Sequence, residues 1–287
     1  MSEHDPRERI AYEGELEPVF ARVGEVYHLG GALGHEVVMT GYEDLNVVLN
    51  TESGKHFAKV FSADRTPDEV TRFGNIMSAV LGQGVQHPDI YQQNHQLIYT
   101  DQESRLSMVV MKHVEGRTFY DTGQVPDDEE LRQIMRQAVL INSVPIKPPF
   151  LYDSWAVQSL QDVFEPIKTR IPSEDAELIE GALTDFAGID QARLPHCFVH
   201  GDLVKSNILK GDDSKIYILD FSVSNWYPRI QELAVIVGNL LNSEETTEPY
   251  LDTLKKAVKF YVSEGGELTE KEVKVLPAFA RAASAAE

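Results

Sequence analysis

The sequence predicts an α+β protein built in two parts, an antiparallel-sheet part followed by a mainly helical part. Three observations point there. β-branched and alternating runs crowd residues 36 to 111, apolar residues spaced by three and four dominate from Asp127 onward, and Gly116 stands where one pattern gives way to the other. The expected division is an N-terminal part over residues 1–114 and a C-terminal part over 115–287, joined at 111–116, where the strands stop and glycine permits a bend. At 287 residues and 42% hydrophobic content the chain can bury a sizeable core, so disorder is not expected.

In order along the chain, strand signals come at Glu36-Val-Val-Met-Thr40, Leu45-Asn-Val-Val-Leu49 and Lys55-His-Phe-Ala-Lys-Val-Phe61, with Glu52-Ser-Gly54 as a hairpin turn between the last two. An amphipathic helix follows over Glu69–Leu81, its apolar face formed by Val70, Phe73, Met77, Val80 and Leu81. Strands resume at Gln96–Tyr99 and Leu106–Met111. Asp127 caps the next helix, which buries Leu131, Ile134, Met135, Ala138 and Ile141 and is ended by Pro145, Pro148 and Pro149. Helical patterns recur at Ser173–Phe186, Pro249–Val262 and from Thr269, where Thr269 and Glu272 have capping-box spacing. Within the helical part, Cys197–His200 and Lys215–Leu219, with a turn at Gly211–Ser214 between them, read as one compact β stretch. The alanine-rich end, Ala278 to Glu287, reads as a helix stopped without a cap, as in a chain cut short at its C-terminus.

Charge and composition exclude whole classes of function. Lysine and arginine number 26 against 46 aspartate and glutamate, a net charge of −20, which disfavours nonspecific binding of nucleic acid or an anionic membrane and suits a cationic partner or plain solubility. The single cysteine, Cys197, rules out a disulfide scaffold and a cysteine-rich zinc site; in its strand it reads as a small buried apolar residue, and a cytoplasmic protein is expected. The first fifteen residues lack an apolar core of a signal peptide, and the longest apolar stretch, Leu233–Val237, is far too short to span a bilayer. The histidines show no paired zinc-ligand spacing, and Trp155 and Trp226 are expected as core or pocket-edge anchors.

The chemistry concentrates at His200-Gly-Asp-Leu-Val-Lys-Ser-Asn207 and Asp220-Phe-Ser222. This is the kinase pattern of a catalytic loop, H-x-D-L-x-x-x-N, followed by a metal loop at the end of an apolar strand. Phosphoryl transfer asks for a carboxylate to orient the attacking hydroxyl and for oxygen ligands to hold Mg2+ on the triphosphate. Asp202 suits the first task, Asn207 and Asp220 the second. Upstream, Lys59 in Phe57-Ala-Lys-Val-Phe61 stands where a strand lysine would grip the α- and β-phosphates, although a lone strand lysine also suits a solvent-facing position. Gly41, in the turn from Thr40 to Leu45, suits either a phosphate-covering turn or an ordinary hairpin. Met111 and His113, in Met111–Gly116, suit either a hinge whose backbone bonds adenine or a plain linker.

Taken together these residues resemble the aminoglycoside phosphotransferase and choline kinase-like small-molecule kinases, over about Val37 to Leu241 and most densely at Phe198–Asn207, Ile216–Phe221 and Pro228–Ala234. The resemblance implies a two-lobed protein-kinase-like fold with MgATP in its cleft and transfer of the γ-phosphoryl group to a hydroxyl of a small acceptor, aminoglycoside, choline, amino-alcohol or sugar. It implies Asp202 as base, Asn207 and Asp220 as magnesium ligands, Lys59 as the phosphate lysine and His200 as a brace for the loop. Gly201 replaces the arginine that pairs with a phosphorylated activation loop, and no A-P-E follows, which turns the expectation away from protein substrates. Ser222 stands for glycine and Glu232 for the usual aspartate, read as a structural residue at a helix start. The acid expected opposite Lys59 is Glu69, while the distance to Gly84 puts Asn75 nearer that place. That mismatch keeps a nucleotide-binding scaffold without turnover in view as the alternative. A metal-dependent hydrolase built on His200, Asp202 and Asp220 is a further one.

Overall fold

The computed structural model describes residues 5–39, 41–243 and 249–286. The chain folds as two compact units, one holding the residues up to Ser78 with Pro88–Glu115, the other Ala79–His87 with Gly116 onward. The fold class is α+β, with an antiparallel sheet in the first unit and mainly helices in the second.

The first unit is a five-stranded antiparallel sheet of β1 (Ala32–Val38), β2 (Leu45–Thr51), β3 (Gly54–Val60), β4 (Ile98–Thr100) and β5 (Ser107–Lys112), ordered β1-β2-β3-β5-β4. Strand alternation explains its core. Leu45, Val47 and Leu49 of β2 are buried while the residues between them are half-exposed, so one face is apolar. That face packs with Ala58, Val60, Met108 and Val110 against helix α1 (Leu16–Val26), through Leu16, Val19, Phe20 and Val23. The first strand starts earlier than its sequence signal, at Ala32, and Thr40 lies outside the described residues. The hairpin turn expected at Glu52–Gly54 is present, with Thr51 opposite Gly54. Helix α2 (Pro67–Gly82) places proline at its first position and buries Phe73, Ile76, Met77 and Val80.

An ion pair fixes α1 to the β4–β5 turn. Arg22 Nε and Nη2 donate to the two oxygens of Asp101 at 2.7 and 2.8 Å, and the same carboxylate accepts from Tyr99 Oη at 3.1 Å and Ser104 N at 2.8 Å. The Asp101 side chain is fully buried, and the hydrogen bonds from Arg22 hold its carboxyl well below the ordinary carboxylate range.

The second unit carries β6 (Gly116–Thr118), α3 (Phe119–Thr122), α4 (Asp128–Asn142), α5 (Leu160–Phe164), α6 (Ser173–Ala187), β7 (His196–Val199), β8 (Ile208–Gly211), β9 (Ile216–Ile218), β10 (Asn225–Pro228), α7 (Ile230–Val235), α8 (Tyr250–Ser263) and α9 (Glu270–Ala286). Asp127 caps α4 in a reciprocal box with Glu130, and the five predicted core residues of that helix are all fully buried. The single β stretch expected around Cys197 and Lys215 is instead two separate pairings. β7 pairs with β10, and β9 pairs with β8, which joins β6 in a three-stranded sheet. Gly116 is needed for close approach rather than for a bend, since a Cβ there would lie 2.3 Å from the Lys210 carbonyl oxygen.

Helix α7 is buried along its whole length and runs into a π turn at Ile236–Leu240. The alanine-rich end of the chain packs there: Gly238 lets α9 come so close that a Cβ on it would meet the Ala280 carbonyl oxygen at 3.1 Å. Ala280, Ala282 and Ala283 are buried, so the small residues are contact residues. Trp155 is no core anchor, being 62% exposed; Trp226 is half-buried, with Lys147 Nζ 5.9 Å from its ring centroid. No helix among the described residues is long and apolar enough to cross a membrane.

Asp101→Asn keeps the shape of the side chain and removes the charge that Arg22 grips. It is expected to lower the urea midpoint of unfolding without changing the m value, and an unmoved midpoint would show that the clamp adds nothing to stability.

Candidate active site

The residues expected to carry the chemistry of the second unit are brought together by backbone bonds around Leu219. The loop after β7 turns sharply at Gly201, whose φ of +85° is strained for any side chain, so an arginine there would resist this turn. His200 then reaches across. Its Nε2 donates to the Leu219 carbonyl at 2.9 Å, and its Nδ1 accepts from Asp202 N at 3.2 Å. A carbonyl can only accept, which fixes the tautomer with the proton on Nε2. From the other end of the loop, the Asn207 carbonyl accepts from Leu219 N at 2.8 Å. Both backbone groups of Leu219 are thereby held by the loop, and the next residue is Asp220.

Asn207 Nδ2 donates to Asp202 Oδ2 at 2.6 Å and to the Asp202 carbonyl at 3.1 Å. With the amide nitrogen so committed, Oδ1 is the atom Asn207 can offer a cation. Asp220 has a left-handed backbone, φ +56°, and its Oδ1 accepts from Ser222 N at 3.2 Å and Ser222 Oγ at 2.6 Å. Ser222, in the place of the expected glycine, thus orients the carboxylate. Among the described residues no group of three His, Cys, Asp or Glu side chains forms a metal cage. One carboxylate and one amide oxygen do suit Mg2+, which usually takes few protein ligands and completes its shell with phosphate and water oxygens.

The loop rests on Glu232 of α7, which is fully buried. Its Oε1 accepts from His200 N at 3.0 Å and from Asn142 Nδ2 at 3.4 Å, and its Oε2 accepts from Gly201 N at 3.2 Å. Glu232 stands in the first turn of α7, as the sequence pattern suggested, and its oxygens serve the loop 31 and 32 residues upstream. Burial pushes its carboxyl up to about 7 against the pull of those donors. Asn142 in turn accepts from Tyr261 Oη at 2.8 Å, so α4, α7 and α8 share one polar network under the loop. Burial also pushes His200 down to about 4 and keeps the ring neutral, packed on Phe221 at a centroid distance of 4.4 Å. Cys197, expected as a buried residue, is half-buried, and its surroundings raise its thiol far above the ordinary range, which disfavours the thiolate a nucleophile needs.

In the first unit, Gly41 lies in the β1–β2 turn with φ +98°, Lys59 on β3, Met111 at the end of β5 opposite Phe57, and His113 just beyond, its Nδ1 3.5 Å from Glu115. Glu69 is not the partner of Lys59. Its carboxylate accepts from Thr66 N at 2.7 Å and Thr66 Oγ1 at 2.9 Å and closes the N-terminus of α2, a local use that the first turn of a helix favours. Asn75 is exposed. Lys59 Nζ lies instead 3.2 Å from Asp44 Oδ2.

A family model described as the phosphotransferase enzyme family matches residues 36–267, well over half of the chain. The protein belongs to that family. Solved structures similar to it include the amicoumacin kinase hAmiN in complex with AMP-PNP, Ca2+ and Ami (TM-score 0.65, 14% identity, covering 93% of this chain and 83% of that one). They also include spectinomycin phosphotransferase APH(9)-Ia in an AMP-bound complex (0.63, 11%, 91% and 85%) and the choline kinase LicA from Streptococcus pneumoniae (0.59, 14%, 92% and 86%). These likenesses establish the protein-kinase-like fold. Among curated proteins no match was found.

His200 makes stability depend on pH. The native ring stays neutral down to about 4, whereas the unfolded chain takes up a proton near 6.5, so stability falls as pH falls through that window, by about 3 kcal/mol in all. Glu232 acts oppositely: its raised pKa stabilises the fold at low pH, and that contribution is lost as pH rises from 4.5 to about 7. Comparing wild type with His200→Gln, which both carry Glu232, isolates the histidine. Their difference in unfolding free energy is expected to shrink by about 3 kcal/mol from pH 7 to pH 4, and a constant difference would mean that the native ring takes up its proton as readily as the unfolded chain does.

Proposed function

We propose that the protein is an ATP-dependent phosphotransferase that moves the γ-phosphoryl group to a hydroxyl of a small-molecule acceptor. The observation that carries this reading is the knot of Asp202, Asn207 and Asp220, tied through Leu219 and seated on a buried carboxylate. Family membership supports it independently. In this reading Asp202 orients the acceptor hydroxyl and accepts its proton, Asn207 and Asp220 hold Mg2+, and Lys59 steadies the α- and β-phosphates, with Gly41 at the turn over them and the backbone of Met111 and His113 serving adenine. Bound Mg2+ would neutralise charge on the phosphates. The protein's own share is mostly placement: the Asn207 amide fixes the rotamer of Asp202, so the base need not be ordered at the moment of reaction.

Compounds named for the neighbours suggest an acceptor class to test. Spectinomycin and choline, named for two of them, are small hydroxyl compounds that carry positive charge, and the net charge of −20 here suits a cationic acceptor as well as plain solubility. A panel of aminoglycoside, choline, amino-alcohol and sugar acceptors, scored by ADP release with MgATP, tests this. Confirmed ATP binding with no turnover on any acceptor would move the reading to a nucleotide-binding scaffold, which the displaced role of Glu69 keeps in view.

Two substitutions assign the roles. Asp202→Ala is expected to lower kcat by about 10²–10⁴-fold while nucleotide still binds, and turnover at the wild-type rate would remove the base from Asp202. Asp220→Ala is expected to abolish the magnesium-dependent part of nucleotide affinity measured by calorimetry; unchanged MgATP affinity would take the metal from Asp220.

A further inference from the structure

A strand lysine that handles phosphates works best when a carboxylate keeps it charged and aimed, and the sequence places that acid on the helix after β3. Helix α2 does not deliver it. Glu69 is occupied with Thr66, Asn75 faces solvent, and the buried charged side chain of the helix is Arg72, a cation.

An acid that touches Lys59 comes from the turn just before β2. Asp44 has a fully buried side chain, and its Oδ2 lies 3.2 Å from Lys59 Nζ. Register explains the meeting. Lys59 faces Asn46 across the β2–β3 pair, and Asp44 stands two residues before Asn46, hence on the same face as its diagonal neighbour. That diagonal spans about 7–8 Å between backbones, within reach of a lysine stem. The carboxylate is itself immobilised. Arg65 grips it with two parallel bonds, Nε to Oδ1 at 2.7 Å and Nη2 to Oδ2 at 2.8 Å, and Ser62 N donates to Oδ1 at 3.0 Å. Arg9 Nη1 donates to the Asp44 backbone carbonyl at 3.0 Å.

We propose that Asp44 is the positioning residue for Lys59, supplied by the end of the β1–β2 turn rather than by helix α2. This rests on the phosphotransferase reading only for what Lys59 then does. Asp44 closes the turn that begins at Gly41, so the carboxylate that meets the ammonium sits at the end of that turn. Burial alone would push the Asp44 carboxyl up; Lys59, Arg65 and the Ser62 amide outweigh that and hold it below its ordinary value, so it stays charged at neutral pH.

The test uses the full-length chain and two readouts. The first needs no activity: brief acetylation with acetic anhydride at fixed pH, with Lys59 and Lys55 quantified by mass spectrometry. Asp44→Asn is expected to speed labelling at Lys59 several-fold and leave Lys55, on the same strand, unchanged. Equal acceleration at both lysines would mean a general loosening of the sheet, and acceleration at Lys59 in Glu69→Gln but not in Asp44→Asn would place the acid on the helix; either overturns the proposal. The second readout is a double-mutant cycle on turnover with Lys59→Met. Asp44→Asn is expected to cost about tenfold in kcat/KM in the wild-type background and almost nothing once Lys59 is gone, whereas an equal loss in both backgrounds would overturn the assignment. If Asp44→Asn does not fold, Asp44→Glu takes its place, with Lys59 still slow to label and turnover reduced; turnover at the wild-type rate would overturn it. A wild type that labels as expected but phosphorylates no acceptor would sink the proposed function and leave the Asp44 pairing standing.

Discussion

One buried carboxylate carries the second unit. Glu232 accepts the amides of His200 and Gly201, two donors in a turn that has no strand or helix to satisfy them. An unpaired buried amide costs about 1–3 kcal/mol, so removing this acceptor would leave the loop backbone better off elsewhere. The loop so held carries His200, whose tautomer the Leu219 carbonyl fixes, and it grips both backbone groups of Leu219, the residue before Asp220. The site is therefore an outcome of satisfying backbone polarity inside a helical core, with the reactive groups riding on the solution.

The helices justify themselves by the same account. Helix α7 must lie buried to deliver Glu232, and a helix buried on all sides needs neighbours that fit closely. Gly238 and the alanines of α9 provide that fit on one side. Arg229, at the head of α7, pairs with fully buried Glu272 at 2.8 and 3.0 Å, and Glu272 also accepts from Thr269 N and Oγ1. One carboxylate thus starts α9 and fastens it to α7. On another side Asn142 and Tyr261 tie α4 and α8 to Glu232 itself.

What could be read from the sequence was what neighbours along the chain decide. The cap at Asp127, the capping-box spacing of Thr269 and Glu272 and the apolar spacing of α4 are short-range patterns, and each appears where the pattern put it. Helix α1 has the same three-and-four spacing in Leu16, Val19, Phe20 and Val23, yet Glu15 makes no side-chain cap, so the usual opening signal is missing. The pairing of β7 with β10 and the meeting of Lys59 with Asp44 are choices among partners distant in sequence. Residue types alone cannot rank those, because several strands and acids offer the same chemistry. Glu69 shows the rule from the other side. An acid three residues after a threonine at a helix start has a partner already, and Thr66 was the signal that it would not serve Lys59.

The left-handed backbone at Asp220 has an evolutionary consequence. Few residue types tolerate that conformation: glycine freely, asparagine and aspartate through their short polar side chains. The set of substitutions that keep the turn is therefore nearly the same as the set that discards the charge. Under the proposed metal role, a lineage could exchange aspartate for asparagine or glycine here, retain the folded unit with its buried Glu232 and packed helices, and lose only the chemistry. On that role foldability and reactivity are separable at this position, a natural point for members of a family to keep the architecture and change occupation.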